Sequence, residues 1–300
     1  MRNMKIQITD VTIQDVRFPK VHEKNNHHYS IAYVTLQTNH PTLQGYSATF
    51  ITNDYALYVA AINLLKQQLI GKKLSAITEH IGEFWQHLTR DSQSRWPNSN
   101  KSILYQTTTA IMNAVWDLWA RREQKPLWRL IVDMTPEELV RCLDLHDVRD
   151  VLTVEEVLTI LQKNALSRAK RIKDLLHTGY PVAAANDYHV NGCRLSGVNH
   201  MLTLLLLAAK LNVPIRLDSS GSGFGEYVQH LAMVDYIYIS GTLKNRVLEY
   251  PEYLSEHFKA PAMIRNGHYQ VPLAPGYSVE IKKNSLMQYG YPHGQAWQAQ

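Results

Sequence analysis

The chain has 300 residues, enough for one large domain or two ordinary ones, and its 45% of hydrophobic residues predicts a folded core. Lys and Arg exceed Asp and Glu by 31 to 26, and the net charge of +5 is spread along the chain, which argues against a nucleic-acid partner. The densest basic stretch, 168–173, has the spacing of a solvated helix face. The longest apolar run, 201–209, is shorter than the roughly 20 residues that span a bilayer, so no membrane partner is expected.

The two cysteines, Cys142 and Cys193, each lie in a short apolar segment and are interpreted as small core residues rather than as a disulfide. A reducing, cytoplasmic location fits this use of cysteine. The first 18 residues contain no apolar segment of the kind found in a secretory signal, so no targeting segment is expected.

Segments rich in β-branched residues open the chain and predict an antiparallel meander. The predicted strands are 5–18, 29–38 and 43–50. From Tyr55 onward the apolar residues recur at helical spacing. The predicted helices are 55–69, 75–88 and 102–123.

After about residue 136 short apolar segments alternate with amphipathic ones, which is typical of parallel βα units. The predicted strands are 140–145, 189–195, 213–217 and 236–240, and the predicted helices between them are 154–161, 200–211 and 226–233. A complete (β/α)8 barrel takes about 250 residues, which is far more than 136–300 provides. We therefore predict an α+β capping domain over 1–135, followed by a truncated α/β barrel of the TIM type, with about four βα units and a C-terminal tail, over 136–300.

Several segments carry a resemblance to a known family. They include Asp15-Val-Arg-Phe-Pro19, Asn113-Ala-Val-Trp-Asp-Leu-Trp-Ala120, Gly225-Glu-Tyr-Val-Gln-His-Leu231, Asn245-Arg-Val247 and Tyr291-Pro-His-Gly-Gln-Ala-Trp297. In this order they resemble L-fuconate dehydratase, an enolase-superfamily enzyme of the mandelate racemase/muconate lactonizing enzyme type. The resemblance implies Mg2+-dependent dehydration of an acid sugar to a 2-keto-3-deoxy sugar acid, in which the metal stabilises an enediolate.

The resemblance also implies that the middle of the barrel is missing. The similarity runs to Thr178-Gly-Tyr-Pro181 and resumes at 189–194, which matches the sixth barrel unit. Barrel strands 2 to 5 carry the family's Lys-x-Lys base and its three metal-binding carboxylates, and none of these has a counterpart here. We therefore expect no cofactor for this chain, although the family uses Mg2+.

The family's catalytic Asp-His dyad matches Asn191 and Asp218, and a family glutamate after the eighth strand matches Glu249. An asparagine supplies no charge to orient a histidine, and an aspartate, ionised at neutral pH, is a poor acid. The predicted catalytic positions are thus Asn191, Asp218 and Glu249, with the first two substituted.

Other patterns leave two interpretations open. Histidines in the 20–28 loop suit either a metal site or plain solvation, and the glycine-rich segment 218–225 suits either an anion or a tight turn. Arg95-Trp96 is either a remnant of substrate contact or a packing pair, and several tyrosines either stack on a sugar or fill ordinary packing positions. The residues in question are His22, His27, His28, Tyr236, Tyr238, Tyr250 and Tyr253.

The sequence therefore predicts a degenerate, catalytically inactive L-fuconate dehydratase-like protein, with residual acid-sugar binding as an option. A second hypothesis is an interaction protein that pairs its half-barrel with a second copy or with a full-length relative, because incomplete barrels leave strand edges and apolar faces uncovered. A third is an active dehydratase that uses Asp218 and Glu249 as replacement residues. A fourth is a decaying gene whose product barely folds.

Overall fold

The computed structural model of the chain describes most of the polypeptide. The described residues are 5–19, 28–51, 54–95, 101–183, 197–215, 217, 224–249 and 254–298.

The N-terminal residues form the predicted antiparallel meander. Its strands are β1 (Ile8–Pro19), β2 (His28–Thr38) and β3 (Gly45–Phe50), in the order β1-β2-β3. Side chains alternate across a strand, and both faces of the central strand, β2, are buried. Val34 and Leu36 pack into the main core, whereas Ile31 and Tyr33 pack against residues from the C-terminal part of the chain.

Helices cover one face of this sheet. They are α1 (Tyr55–Leu65), α2 (Leu74–Thr78), α3 (Ile81–Arg95) and α4 (Lys101–Arg122). The long helix α4 lies directly on β3, where any side chain at Gly45 would collide with the carbonyl oxygen of Ala114. The predicted helices 55–69 and 102–123 are confirmed, while the predicted helix 75–88 is divided into α2 and α3 by a turn.

The remaining described chain is mainly helical. Its helices are α5 (Leu127–Val132), α6 (Pro136–Val140), α7 (Val154–Ala165), α8 (Arg168–Thr178), α9 (Val198–Lys210), α10 (Gly225–Val234) and α11 (Lys283–Tyr289). Thr135 and Thr153 begin α6 and α7 with capping boxes, in which the threonine hydroxyl and a glutamate three residues later exchange backbone hydrogen bonds. The predicted helices 154–161, 200–211 and 226–233 are confirmed.

Short strands form a second, four-stranded sheet in the order β5-β4-β7-β6. They are β4 (Tyr180–Ala183), β5 (Leu248–Glu249), β6 (Ile264–Arg265) and β7 (His268–Tyr269). β4 and β5 are parallel, and β6 and β7 form a hairpin whose turn residues, Asn266 and Gly267, both have positive φ. The sequence had not predicted any of these four strands.

Three of the predicted strands are wrong where the structure describes them. Residue 140 ends α6, and no strand follows it over 141–145. Residues 213–215 are not in a strand either. The residues Asp235–Ile239 continue α10 as a π-helical turn, closed by the Ser240 amide donating to the Asp235 carbonyl at 2.7 Å. The fourth predicted strand, 189–195, lies outside the described residues.

For the last of these three errors the physical reason is that a fully buried apolar run has the same appearance in a strand and in a buried helix. All five residues of the π-helical turn are buried, so no exposed position revealed a helical period. Among the described residues, parallel pairing consists of the β4/β5 pair and an isolated bridge between Pro126 and Gly276. The truncated barrel of about four βα units stays a prediction.

One buried carboxylate joins three parts of the fold. Asp117, on α4, is fully buried and accepts hydrogen bonds from the Tyr46 amide at 2.9 Å and the Tyr277 amide at 2.6 Å. Arg121 Nε donates to the same carboxylate at 2.6 Å, and Arg121 Nη1 also reaches Glu280 at 3.0 Å. These bonds connect α4 to β3 and to the C-terminal segment.

We expect Asp117→Asn to lower the free energy of unfolding by about 3 kcal/mol, because an amide replaces the fully buried carboxylate on which the Tyr46, Tyr277 and Arg121 donors converge. Asp133→Asn is the matched control. Asp133 also pairs with two cations, Lys125 and Arg129, but its side chain is 28% exposed, so a loss below about 1 kcal/mol is expected. Urea denaturation measures both values, and equal losses would contradict the central role of Asp117.

Candidate functional site

The parallel strands β4 and β5 end side by side. Ala183 lies opposite Glu249, so the carboxyl ends of both strands meet at one edge of the sheet. Segments 184–196 and 250–253 follow directly in the chain. In barrel enzymes the catalytic groups come from the carboxyl ends of the strands. Of the three predicted catalytic positions, the structure places the backbone of Glu249 here, whereas Asn191 and Asp218 lie outside the described residues.

Aromatic rings bring several other chain segments together. Phe50, at the end of β3, stacks on Phe224 with ring centroids 4.8 Å apart. Tyr29 contacts Phe50 at 6.1 Å, and Phe258 contacts Phe224 at 5.7 Å. Leu254 belongs to the same hydrophobic cluster. The described residues that flank 20–27, 52–53, 218–223 and 250–253 therefore meet at one place, and we take this aromatic cluster with the β4/β5 edge as the candidate site.

Helix α10 begins at this aromatic cluster and carries a buried acid. Glu226 is only 3% exposed, and its Oε1 accepts a hydrogen bond from the Ala262 amide at 3.1 Å. Burial raises the pKa of Glu226 to about 7, although the Ala262 hydrogen bond lowers it. The sequence had placed this residue inside a family-like motif without giving it a role.

One turn further along α10, His230 is completely buried. Its Nδ1 accepts from the Trp128 amide at 3.2 Å, so its proton is on Nε2, which donates to Ser278 Oγ at 2.9 Å. Burial lowers the pKa of His230 to about 3. His230 is neutral and both of its ring nitrogens are hydrogen-bonded. It therefore holds α5 and the C-terminal segment against α10 and does not act as a general acid.

A second buried ion pair supports the amino-terminal side of β5. Arg246 Nε donates to Asp235 Oδ2 at 2.6 Å, and the two side chains are 9% and 5% exposed. Ser240 Oγ donates to the same aspartate at 3.1 Å. Neither charge was singled out from the sequence, because the two residues are eleven positions apart and no local spacing links them.

The basic stretch 168–173 is solvated only in part: Lys170 and Lys173 are exposed, but the two arginines are not, which corrects the sequence interpretation. Arg171 is 8% exposed, and its Nε donates to the Ile237 carbonyl at 2.8 Å. Arg168 Nη1 donates to the carbonyls of Val132 and Met134 at 2.5 and 2.9 Å. Both guanidiniums thus satisfy backbone carbonyls inside the fold.

Some of the other candidates from the sequence lie within the described residues, and the rest lie outside them. Tyr238 is buried and its hydroxyl donates to the Met134 carbonyl at 2.9 Å, and Tyr236 is 9% exposed, so both are packing residues. The ring of His28 lies 4.8 Å from that of Trp297 in an edge-on contact, and Cys142 is buried after α6. Outside the described residues lie His22, His27, Trp96, Cys193, Tyr250 and Tyr253, and the side chain of Arg95 is also not described.

Within the described ranges no group of three or more His, Cys, Asp or Glu side chains is arranged to hold a metal ion. Every helix in the described ranges is too short or too polar to cross a bilayer.

Comparison with known proteins places this arrangement in a family. A family model described as Enolase C-terminal domain-like matches residues 136–285. Mitochondrial enolase superfamily member 1 of Xenopus laevis is 30% identical over 430 residues, which covers 97% of this chain and 97% of that relative. The chain belongs to the enolase superfamily. A further superfamily relative, L-galactonate dehydratase of Hypocrea jecorina, is 29% identical and covers 98% of this chain and 96% of its own length.

Solved structures agree with this membership. Human mitochondrial enolase superfamily member 1 has a TM-score of 0.89 and 28% identity, and the match covers 98% of each chain. L-talarate dehydratase from Polaromonas sp. JS666, solved with Mg and L-glucarate, has a TM-score of 0.59 at 17% identity and shows the shared fold alone. The chain thus has the enolase-superfamily fold, with an N-terminal sheet domain and a mainly helical C-terminal part, and it is similar to acid-sugar dehydratases.

The buried acid of α10 makes stability depend on pH. Because the pKa of Glu226 rises from 4.5 to about 7 on folding, the free energy of unfolding falls as pH increases through this range. We expect Glu226→Gln to leave stability unchanged near pH 4 and to raise it by up to about 3 kcal/mol at pH 8. The amide oxygen of glutamine can still accept from Ala262.

Thermal melts of wild type and variant between pH 4 and pH 8 measure this effect. The control is Glu155→Gln, on the exposed first turn of α7, which should reproduce the wild-type pH dependence. A Glu226→Gln variant that is less stable than wild type at pH 8 would refute the burial argument.

Proposed function

We propose that the protein is a catalytically inactive relative of L-fuconate dehydratase, which keeps the capping domain and part of the barrel and has lost strands 2 to 5. The alignment with the Xenopus laevis relative extends over 430 positions, whereas this chain has 300 residues. At least 130 of those positions therefore have no counterpart in this chain. This difference in length is the observation that carries the proposal.

The described residues at the β4/β5 edge do not fit a Mg2+ ion of the family type. Mg2+ requires octahedral oxygen coordination, usually with carboxylates among the ligands. Among these described residues, β4 ends at an alanine, Ala183, and β5 ends at a single acidic residue, Glu249. We derive no metal-dependent step for this chain.

The substitutions in the sequence point the same way. Asn191 and Asp218 occupy the positions at which the family has an aspartate and a histidine. Without that dyad, proton transfer beside a carboxylate has neither an oriented base nor a suitable acid. Residual binding of an acid sugar at the candidate site, without turnover, is compatible with these changes. A cytoplasmic location likewise stays a prediction from the use of cysteine.

Purified protein is expected to show no Mg2+-dependent dehydration of L-fuconate or L-galactonate, measured as release of 2-keto-3-deoxy acid. The double variant Asn191→Asp/Asp218→His restores the dyad residues and should also be inactive, because the metal-binding strands are still missing. Turnover that a chelator abolishes would overturn the proposal and favour an active dehydratase with replacement residues. A cooperative melt by circular dichroism in the same preparation shows that inactivity does not result from failure to fold.

A second candidate function, self-association, is favoured by exposed apolar side chains around α7 and α9. Val151 and Val154 are 51% and 41% exposed, and Leu211 is 59% exposed. Lys210 Nζ donates to the Val151 carbonyl at 2.7 Å, which places the end of α9 beside the start of α7. We propose that a second copy of this chain covers the apolar surface formed by Val151, Val154 and Leu211.

Size-exclusion chromatography with light scattering should therefore show a dimer that Leu211→Glu converts to a monomer. Leu273→Glu is the control, since Leu273 is 72% exposed but lies elsewhere in the chain, and it should leave the dimer intact. A folded wild-type monomer at all concentrations would count against self-association. An assembly that forms only with a full-length relative would replace the second copy by that relative.

A further inference from the structure

A polar cavity of about 580 Å3 lies beside α7 and α9. Its walls are the last residues of these two helices together with the segment 239–246, which precedes β5. The described part of its wall adjoins the amino end of β5, whereas Glu249 is at the carboxyl end of that strand, so this wall and the candidate site lie at opposite ends of β5.

Among the described residues of the cavity wall, all charged side chains are cationic: they are Lys163, Lys244 and Arg246. Arg246 is held by its ion pair with Asp235 and so contributes little net charge. Lys163 and Lys244 are exposed, and within the described ranges neither has a carboxylate within ion-pair distance. The two lysines therefore give the cavity a positive potential.

Two helices end at this cavity, and free carbonyl groups at a helix end would repel an anion. Three of these carbonyls already have donors. The Asn212 and Val213 amides donate to the carbonyls of Ala209 and Ala208 at 3.2 and 2.9 Å. Arg171 Nη2 donates to the Asn164 carbonyl at 2.5 Å. These donors reduce the negative potential at the two helix ends.

We propose that this cavity binds a small organic anion whose phosphate or carboxylate group lies between Lys163 and Lys244. Lysine ammonium groups bind such oxyanions as point charges. The side chains of Ile160, Val213 and Pro214 offer apolar contacts for the rest of the ligand. The volume is in the range of about 300–1,000 Å3 that is usual for small-molecule sites.

Isothermal titration of the full chain tests this assignment with three probes: glucose 6-phosphate, citrate and uncharged glucose. We expect saturable binding of one anion per chain and no binding of glucose. Glucose 6-phosphate and citrate distinguish a phosphate site from a carboxylate site. Lys163→Gln and Lys244→Gln should each weaken binding about fivefold, and the double variant more than either single variant.

Lys173→Gln is the matched control, because Lys173 is exposed on α8 and does not line the cavity. It should leave the affinity unchanged. Binding weakened equally by all three lysine substitutions would show attraction to general surface charge and would overturn the proposal. Failure of both anions to bind would overturn it as well, because the wild-type chain itself is tested.

Discussion

The buried carboxylate of Asp117 is the constraint on which the arrangement of the molecule depends. It lies on α4 and holds an amide of β3, an amide of the C-terminal segment and the guanidinium of Arg121. A buried charge is tolerated when its hydrogen-bonding capacity is satisfied, and removal of one partner leaves the others uncompensated. The Asp117 carboxylate is therefore fully satisfied only when sheet, helix and C-terminal segment are together.

The buried polar groups around α10 are also paired or neutral. His230 is neutral and bonded through both nitrogens, Asp235 and Arg246 neutralise each other, and Glu226 takes up a proton near pH 7. In the family resemblance this part of the chain belongs to the catalytic half of a barrel. Here its described polar residues connect structural elements, as the proposed inactive relative requires.

Sequence patterns predicted the N-terminal meander and the helices well, because β1 to β3 are rich in β-branched residues and α4 has a clear helical period. They failed at 235–239, where continuous burial hides the helical period and tertiary packing decides the conformation. They also failed at 141–145, which forms turn and irregular chain after α6. They also missed β4 and β5, since strands of two to four residues leave almost no signal. Family resemblance located Glu249 at a strand end, but pairing between Ala183 and Glu249 depends on residues 66 positions apart.

The double-sided burial of β2 has a consequence for the newly made chain. Ile31 and Tyr33 are covered by Leu254, Phe258 and Ile281, which leave the ribosome long after the sheet itself. Until then an apolar surface of the meander faces water. Domains generally fold as units during synthesis, and exposed apolar surface makes nascent chains prone to aggregation. The order of translation thus leaves this face of the meander uncovered until the C-terminal segment has been made.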